Sequence, residues 1–440
     1  MKPNIIFLVI DSFRADRFYG KEKSSFTPTL DKLRDNGTYF SQNISSADGT
    51  ILSLNTIFNG LFPSITGTRQ IKLLLENSNY ISSLIDEKYS IYTVLPKLTA
   101  FSSLFNINTK GYSYEGGPPA ESLFDGIGEK ILEILNSPMD SPWCFYIHLM
   151  DLHWPLIVPQ EFQDEKFGKD KYDQIVSSID HYLTKFLHLV NLKDTLIIIT
   201  SDHGCPIPFD DKDNTSFEPD LKLGLKFGKK IMPKFSHKFG ASIFNKTRKI
   251  IKNKRLEEAN ENLTEYEKRS RLPPFIQSLF DETVRTPLLF SGYKMESLII
   301  KKQTRSIDIF PTVFDLLGFN HSEKIQGKSL LPLIRGDDCE ENSCYMHTIP
   351  HEKLSDNDQV GIRTSKYKYF RHARNPSLNI HLYDFTQDTL ENKNIYQENP
   401  EKIQEMEEII AEFSNFEINE VIDEEEEAKI REELKKLGYL

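Results

Sequence analysis

Four polar residues stand where chemistry is easily built, at the ends of apolar runs or at the start of a helix. Asp11 follows Ile5-Ile6-Phe7-Leu8-Val9-Ile10, and Asp202-His203 follow Thr195-Leu196-Ile197-Ile198-Ile199-Thr200-Ser201. Thr50 follows the turn signal Asp48-Gly49 and precedes Ile51, Leu54, Ile57 and Phe58 at helical spacing. Two carboxylates and an imidazole are hard or borderline ligands for a divalent cation. A cation beside a hydroxyl lowers its pKa and orients it for in-line attack on phosphorus or sulfur, so Asp11, Thr50, Asp202 and His203 form a candidate metal and nucleophile set. The mixed oxygen and nitrogen donors favour Zn²⁺ or Mn²⁺ over Ca²⁺ or Mg²⁺, which prefer all-oxygen shells. A helix N-terminus at Thr50 adds free N–H groups and the positive end of the macrodipole, both suited to an anionic group. His153, in Asp151-Leu152-His153-Trp154-Pro155 after a further apolar run, is placed to hold a transferring group or to protonate a leaving group. Each residue also has an ordinary role to weigh: Asp11 or Thr50 as a helix cap, His153 as a core histidine.

The elements that position these residues alternate. The opening run, bounded by Pro3 and Asp11, reads as a buried strand, Thr27–Leu33 as a Pro-started helix and Gly37–Phe40 as a short strand. Helical spacing over Ile71–Ile85, Leu123–Leu135 and Tyr172–Leu189 is interleaved with strands Tyr89–Leu95, Trp143–Met150 and Thr195–Thr200. Acids or histidines at three strand ends suit a site along one sheet edge. The rhythm breaks after Gly204 and resumes with a strand at Thr283–Phe290 and a helix at Asp308–Leu317 closed by Gly318. Gly361–Arg363, Tyr367–Phe370 and His381–Asp384 read as strands of a smaller C-terminal unit, followed by a charged helical tail from Glu401. The expected fold is α/β, a large, mixed, mostly parallel sheet sandwiched by helices, with a small C-terminal α+β subdomain. Residues 1–337 form the expected catalytic domain, 206–280 an insertion or lid within it, and 338–440 the C-terminal subdomain.

Composition narrows the partners. The 440 residues carry a net charge of −11, which argues against a specific nucleic-acid binder. The charge is uneven: Lys222–Arg255 holds twelve Lys and Arg and no acid, with Phe227, Phe235, Phe239 and Phe244 among them. Such a stretch suits contact with an anionic membrane or polymer, although a solvated insertion has the same composition. Four cysteines fit no zinc spacing and read as free thiols. The first apolar run is too short for a signal core or a membrane span, so a cytoplasmic chain is expected.

Taken in order, the motifs resemble the sulfatase family within the alkaline phosphatase superfamily. Asn4–Asp16 resembles the family's first strand and metal-binding aspartate, and Ser201-Asp202-His203-Gly204 its second ligand pair. Val284-Arg285-Thr286-Pro287, Asp308-Ile309-Phe310-Pro311-Thr312, Gly327-Lys328-Ser329, Arg363-Thr364-Ser365-Lys366-Tyr367 and Leu382-Tyr383-Asp384 are similar to later family segments. The resemblance implies a divalent metal, and it puts the nucleophile at Thr50. True sulfatases carry Cys or Ser there, followed by Pro and Arg so that formylglycine is made; here those offsets hold Leu52 and Leu54. Threonine is instead similar to the branch of phosphoethanolamine and phosphoglycerol transferases and phosphate-ester hydrolases, which pass through phosphothreonine. Ser12 in place of a second aspartate and His203 in place of asparagine also depart from the calcium-type pattern. Lys97 lies near the family's Gly-Lys-x-His lysine, and Lys97 and Arg14 are the candidate substrate-binding cations.

The expected function is metal-dependent hydrolysis or transfer of phosphate mono- or diesters or phosphonate esters, with Thr50 as nucleophile, His153 assisting and an anionic ester as partner. The alternatives are sulfate-ester hydrolysis without formylglycine, and a binding module that has lost catalysis.

Overall fold

A strand that is apolar on both faces needs neighbours on both edges and layers above and below. In the computed structural model, β1 (Asn4–Ile10) has that position, between parallel β5 (Trp143–Leu149) and β6 (Thr195–Thr200). The structure describes residues 2–66, 79–98, 101, 110–117, 120–207, 237–272, 278–320, 325–348 and 358–413. The remaining strands are β2 (Gly37–Ile44), β3 (Ser90–Pro96), β4 (Lys110–Tyr114), β7 (Arg285–Gly292), β8 (Leu298–Ile300) and β9 (Thr304–Arg305). They complete a nine-stranded sheet of order β4-β3-β5-β1-β6-β7-β2-β8, with β9 also on β2. The β4-to-β6 half is parallel, whereas β7 runs antiparallel to both β6 and β2. The expected mixed, mostly parallel α/β sheet is therefore present.

The helix Thr50–Asn59 packs on this sheet through an aromatic cluster. Phe58 lies 6.1 Å from the ring of Phe7 and 5.4 Å from that of Tyr146, and Tyr80 closes the group 5.9 Å from Phe58. Burying rings of this size contributes about 1.5–3 kcal/mol each, which holds the helix start in register with the ends of β1 and β6. The other end of the helix is closed by Gly60 at φ 65°. Its carbonyl accepts from the N–H groups of Gln326 and Gly327, while Lys328 N donates to Asp308 Oδ1. Arg305 binds the same Asp308 carboxylate through Nε and Nη2. The Asp308 and Gly327-Lys328 motifs thus anchor the far end of the Thr50 helix.

A second, antiparallel sheet contains β10 (Cys344–His347), β11 (Gln359–Arg363), β12 (Tyr367–His372) and β13 (His381–Asp384). The helix Pro400–Phe413 covers it with Met406 and Ile410, packed with Tyr345, Ile362, Tyr369 and Leu382. This sheet shares one compact unit with the large sheet: Met1–Cys205, Gln277–Thr389 and Asn394–Leu440. Asp281 joins the two sheets, since Arg363 Nη2 lies 2.8 Å and Lys368 Nζ 2.6 Å from its carboxylate.

The second unit contains Pro206–Ile276 and Leu390–Lys393. Its described helices are His237–Asn260 and Glu265–Arg269, and Arg269 donates to the carbonyls of Leu390 and Glu391. The basic stretch 222–236, residues 71–78 of the expected Ile71–Ile85 helix and the acidic tail beyond Phe413 lie outside the described residues. Thr283-Val284 differs from expectation: Asp281–Val284 is a helical turn, and the strand starts at Arg285. Among the described residues no helix is long and apolar enough to cross a membrane.

Candidate active site

At the carboxyl end of β1 the chain turns sharply, with Ser12 in the left-handed region at φ 62°. Non-glycine residues occupy that region rarely, and here the turn is held from several sides. Asp11 N donates to Leu149 O, Ser12 N lies 3.3 Å from Asp202 Oδ1, and Tyr172 Oη donates to Ser12 O. Asp11 and Asp202 are fully buried, and His203 is only 6% exposed.

Thr50 meets this pair from the helix side. Gly49, in extended conformation, is the N-cap, so Thr50 is the first helical residue rather than the cap. That leaves the threonine hydroxyl free to turn away from the helix. Its Oγ1 donates to Asp11 Oδ2 at 3.1 Å and lies 3.3 Å from His203 Nε2. Ser45 Oγ contacts Ser53 Oγ at 2.9 Å and donates to Asp202 O at 2.6 Å, linking the first turn of the helix to the end of β6.

The donor set fits a cation. Asp11, Asp202 and His203 can each offer a ligand atom, all within 4.8 Å of one another. Asp202 Oδ2 is buried with no hydrogen-bond partner among the described residues, 3.6 Å from His203 Nε2. His203 Nδ1 lies 2.7 Å from Gly204 O, so Nδ1–H donates there and Nε2 turns toward the carboxylates, the orientation expected of a metal-binding imidazole. The electrostatics agree. Burial and the charge of Asp11 raise the Asp202 pKa. Burial opposes ionisation of Asp11, but His148, His203 and His153 hold its carboxyl well below the usual range. Burial disfavours the His203 cation, yet Asp202 and Asp11 raise its pKa overall. Two buried carboxylates with one bare oxygen leave negative charge that a divalent ion would neutralise.

Gly204 allows this arrangement. A Cβ there would sit 2.3 Å from Glu282 O, and Gly204 N donates to Thr283 O at 2.7 Å.

The other candidates are placed differently. His153 is buried with Nδ1 3.0 Å from Trp154 O, in the loop after β5. Arg14 is buried and binds Asp16 through Nε and Nη2 at 2.9 and 2.6 Å. Lys97 extends into solvent and pairs with Glu115 at 2.8 Å. Both expected substrate cations thus have a carboxylate partner in the structure. One residue that sequence reasoning missed joins the cluster. His148 in β5 is fully buried with Nε2 3.5 Å from Asp11 Oδ2.

A hydroxyl at a helix start, two buried carboxylates and imidazoles beside the carboxyl ends of β1, β5 and β6 thus lie together. This chain belongs to the sulfatase family: the Sulfatase family matches residues 3–319, and the family described as N-sulphoglucosamine sulphohydrolase, C-terminal, matches 276–416. Among curated proteins, it is 26% identical to arylsulfatase K of Mus musculus over 146 residues, 32% of this chain and 26% of the relative. It is also 26% identical to an uncharacterized protein of Haemophilus influenzae over 212 residues, 46% of this chain and 32% of the relative. The matched stretches thus span about a quarter to a third of those relatives. Among solved structures, a putative sulfatase of Bacteroides fragilis superposes with TM-score 0.66 at 15% identity, covering 95% of this chain and 97% of that one. The phosphonate monoester hydrolase of Agrobacterium radiobacter gives TM-score 0.66 at 14% identity, covering 94% and 95%. A protein solved with its substrate D-glucosamine-2-N,6-O-disulfate gives 0.64 at 14%, covering 94% and 97%. At these identities the structural likeness concerns the fold alone.

Proposed function

We propose that this chain is a metal-dependent hydrolase or transferase of phosphate mono- or diesters or of phosphonate esters, with Thr50 as nucleophile. The observation that carries this reading is the position of Thr50 Oγ1 at a helix N-terminus, between Asp11 Oδ2 and His203 Nε2. Asp11, Asp202, His203 and Thr50 would hold the cation, with Zn²⁺ or Mn²⁺ suited to the mixed donors. When bound, it supplies Lewis-acid stabilisation of charge on the transferred group and a lowered threonine pKa.

The chain's own residues account for the remaining steps. Asp11 Oδ2 accepts the Thr50 hydrogen bond and orients the hydroxyl. Thr50 Oγ1 passes its proton to Asp11 Oδ2 as it attacks phosphorus, the bond to the leaving oxygen breaks, and His153 binds the transferring group or protonates that oxygen. Water or an acceptor hydroxyl then attacks phosphorus and gives its own proton to His153, the Thr50 Oγ1–phosphorus bond breaks, and the threonine takes its proton back from Asp11. The free N–H groups of the first helical turn face the anion. Leu52 and Leu54, both buried, occupy the offsets that formylglycine maturation needs for Pro and Arg, which favours the phosphorus reading over sulfate.

A panel of aryl sulfate, phosphate monoester, phosphate diester and phosphonate across Zn²⁺, Mn²⁺, Ca²⁺ and Mg²⁺ tests it. Fastest turnover of a phosphorus ester is expected, and faster turnover of the sulfate would overturn the choice of substrate.

The helix His237–Asn260 exposes Lys246, Arg248, Lys249, Lys254 and Arg255 beside Ile250, which is 67% exposed. This composition supports a role for the 222–255 segment in contact with an anionic membrane or polymer. Co-sedimentation with phosphatidylglycerol vesicles is the expected behaviour, and a chain that stays in the supernatant contradicts it.

A further inference from the structure

His148 lies within an apolar strand and is fully buried, where an imidazole is costly unless its nitrogens are used. The register of β5 against β1 pairs His148 with Val9 and Leu149 with Ile10, which brings the imidazole alongside the residue that follows β1, Asp11. Nε2 lies 3.5 Å from Asp11 Oδ2, within ion-pair distance, and makes no hydrogen bond among the described residues. Nδ1 lies 3.2 Å from Tyr146 Oη on the same face of the strand. The ring is held edge-on by Phe101, 4.9 Å between centroids, and its backbone carbonyl accepts from Tyr114 Oη at 2.7 Å.

These contacts decide the tautomer. Asp11 Oδ2 already accepts from Thr50 Oγ1 and so faces the imidazole as an acceptor, which Nε2–H complements and a bare Nε2 lone pair does not. Nδ1 must then accept, and the phenol of Tyr146 can supply the donor. We propose that His148 is a positioning residue for Asp11, its Nε2–H holding the carboxylate in the orientation in which Oδ2 receives Thr50 and Oδ1 faces His203, with Tyr146 fixing the tautomer. This is the arrangement in which a histidine behind a ligand carboxylate tunes a metal centre without touching the ion. The proposal rests on the reading of Asp11, Asp202 and His203 as a metal centre. Oδ1 lies 3.9 Å from His203 Nε2, so rotation of the carboxylate would disturb both the nucleophile contact and the ligand set.

The test is calorimetric titration of the metal-free full chain with Mn²⁺ and Zn²⁺ for wild type, His148→Ala, His148→Gln, Tyr146→Phe and Asp202→Asn, with near-ultraviolet circular dichroism to check the fold. His148→Ala is expected to weaken metal affinity about 10–100-fold. The amide nitrogen of His148→Gln can occupy the place of Nε2–H and should restore affinity to within about threefold of wild type. Tyr146→Phe keeps the ring packing and should cost a smaller factor, and it carries the test if His148→Ala does not fold. Wild-type affinity in folded His148→Ala or, failing its folding, in Tyr146→Phe overturns the proposal. So does a loss in His148→Gln as large as that in His148→Ala, since packing rather than the donor would then matter. Metal binding that is lost in Asp202→Asn but unchanged in His148→Ala overturns the proposal alone, whereas no binding by the wild-type chain overturns it together with the metal-centre reading.

Discussion

Thr50 Oγ1 lies 3.1 Å from Asp11 Oδ2, although the two residues are 39 positions apart and belong to different layers of the fold. Asp11 follows the central strand, and Thr50 begins a helix whose Phe58 is wedged against Phe7 and Tyr146. The contact is therefore set by core packing and by the turn at Ser12, not by a flexible loop closing on a ligand.

Asp202 Oδ2 is buried in this centre without a hydrogen-bond partner among the described residues. Asp202→Asn removes charge that Asp11 opposes, so the metal-free variant should melt no lower than the metal-free wild type. Added Mn²⁺ should raise the wild-type Tm, by a stabilisation of about 2.7 kcal/mol at a hundredfold excess over Kd, and leave the variant nearly unmoved. Scanning fluorimetry with and without metal reads both, and equal metal-induced shifts would count against Asp202 as a ligand.

Gly204→Ala places a methyl group against the Glu282 carbonyl. The Glu282 backbone and the buried Arg14 side chain leave little room to relax, so a loss of roughly 1–3 kcal/mol is expected. Because Gly204 O also holds His203 Nδ1, metal affinity should fall with stability. Unchanged values for both in thermal melts and metal titration would contradict this account of the turn.

Asp151 supplies a pH dependence away from the metal ligands. Burial raises its pKa to about 7, with Leu123 N as a counteracting hydrogen-bond donor. An acid whose pKa is raised on folding binds its proton more tightly in the native state, so the native chain loses stability as pH rises from about 4 to about 7. Asp151→Asn keeps an oxygen for Leu123 N and removes the penalty. The variant should gain on wild type in urea denaturation at pH 8 and show a smaller gain, or a loss, at pH 4.5.

The legible part of this protein was the part written in local pattern. The runs before Asp11 and Asp202 are long and apolar enough to announce central strands, and residues at their carboxyl ends gather at one edge wherever such strands lie side by side. β4, β8 and β9 escaped because they are short, partly polar edge or near-edge segments with no distinctive period. His148 escaped for another reason. Within Trp143–Leu149 it looks like one polar interruption of a core strand, and only the pairing of β5 with β1 shows that it sits beside Asp11. The Arg14 pairing with Asp16, two residues on, was likewise not written in the local pattern.

In the proposed reaction Thr50 carries the transferred group. Rapid acid quench during turnover of an aryl phosphate or phosphonate ester, followed by peptide mass spectrometry, tests it most directly. A phosphoryl or phosphonyl adduct on Thr50 is expected in the wild type, and neither adduct nor turnover in folded Thr50→Ala. Full turnover by Thr50→Ala, or an adduct on another residue, would contradict it.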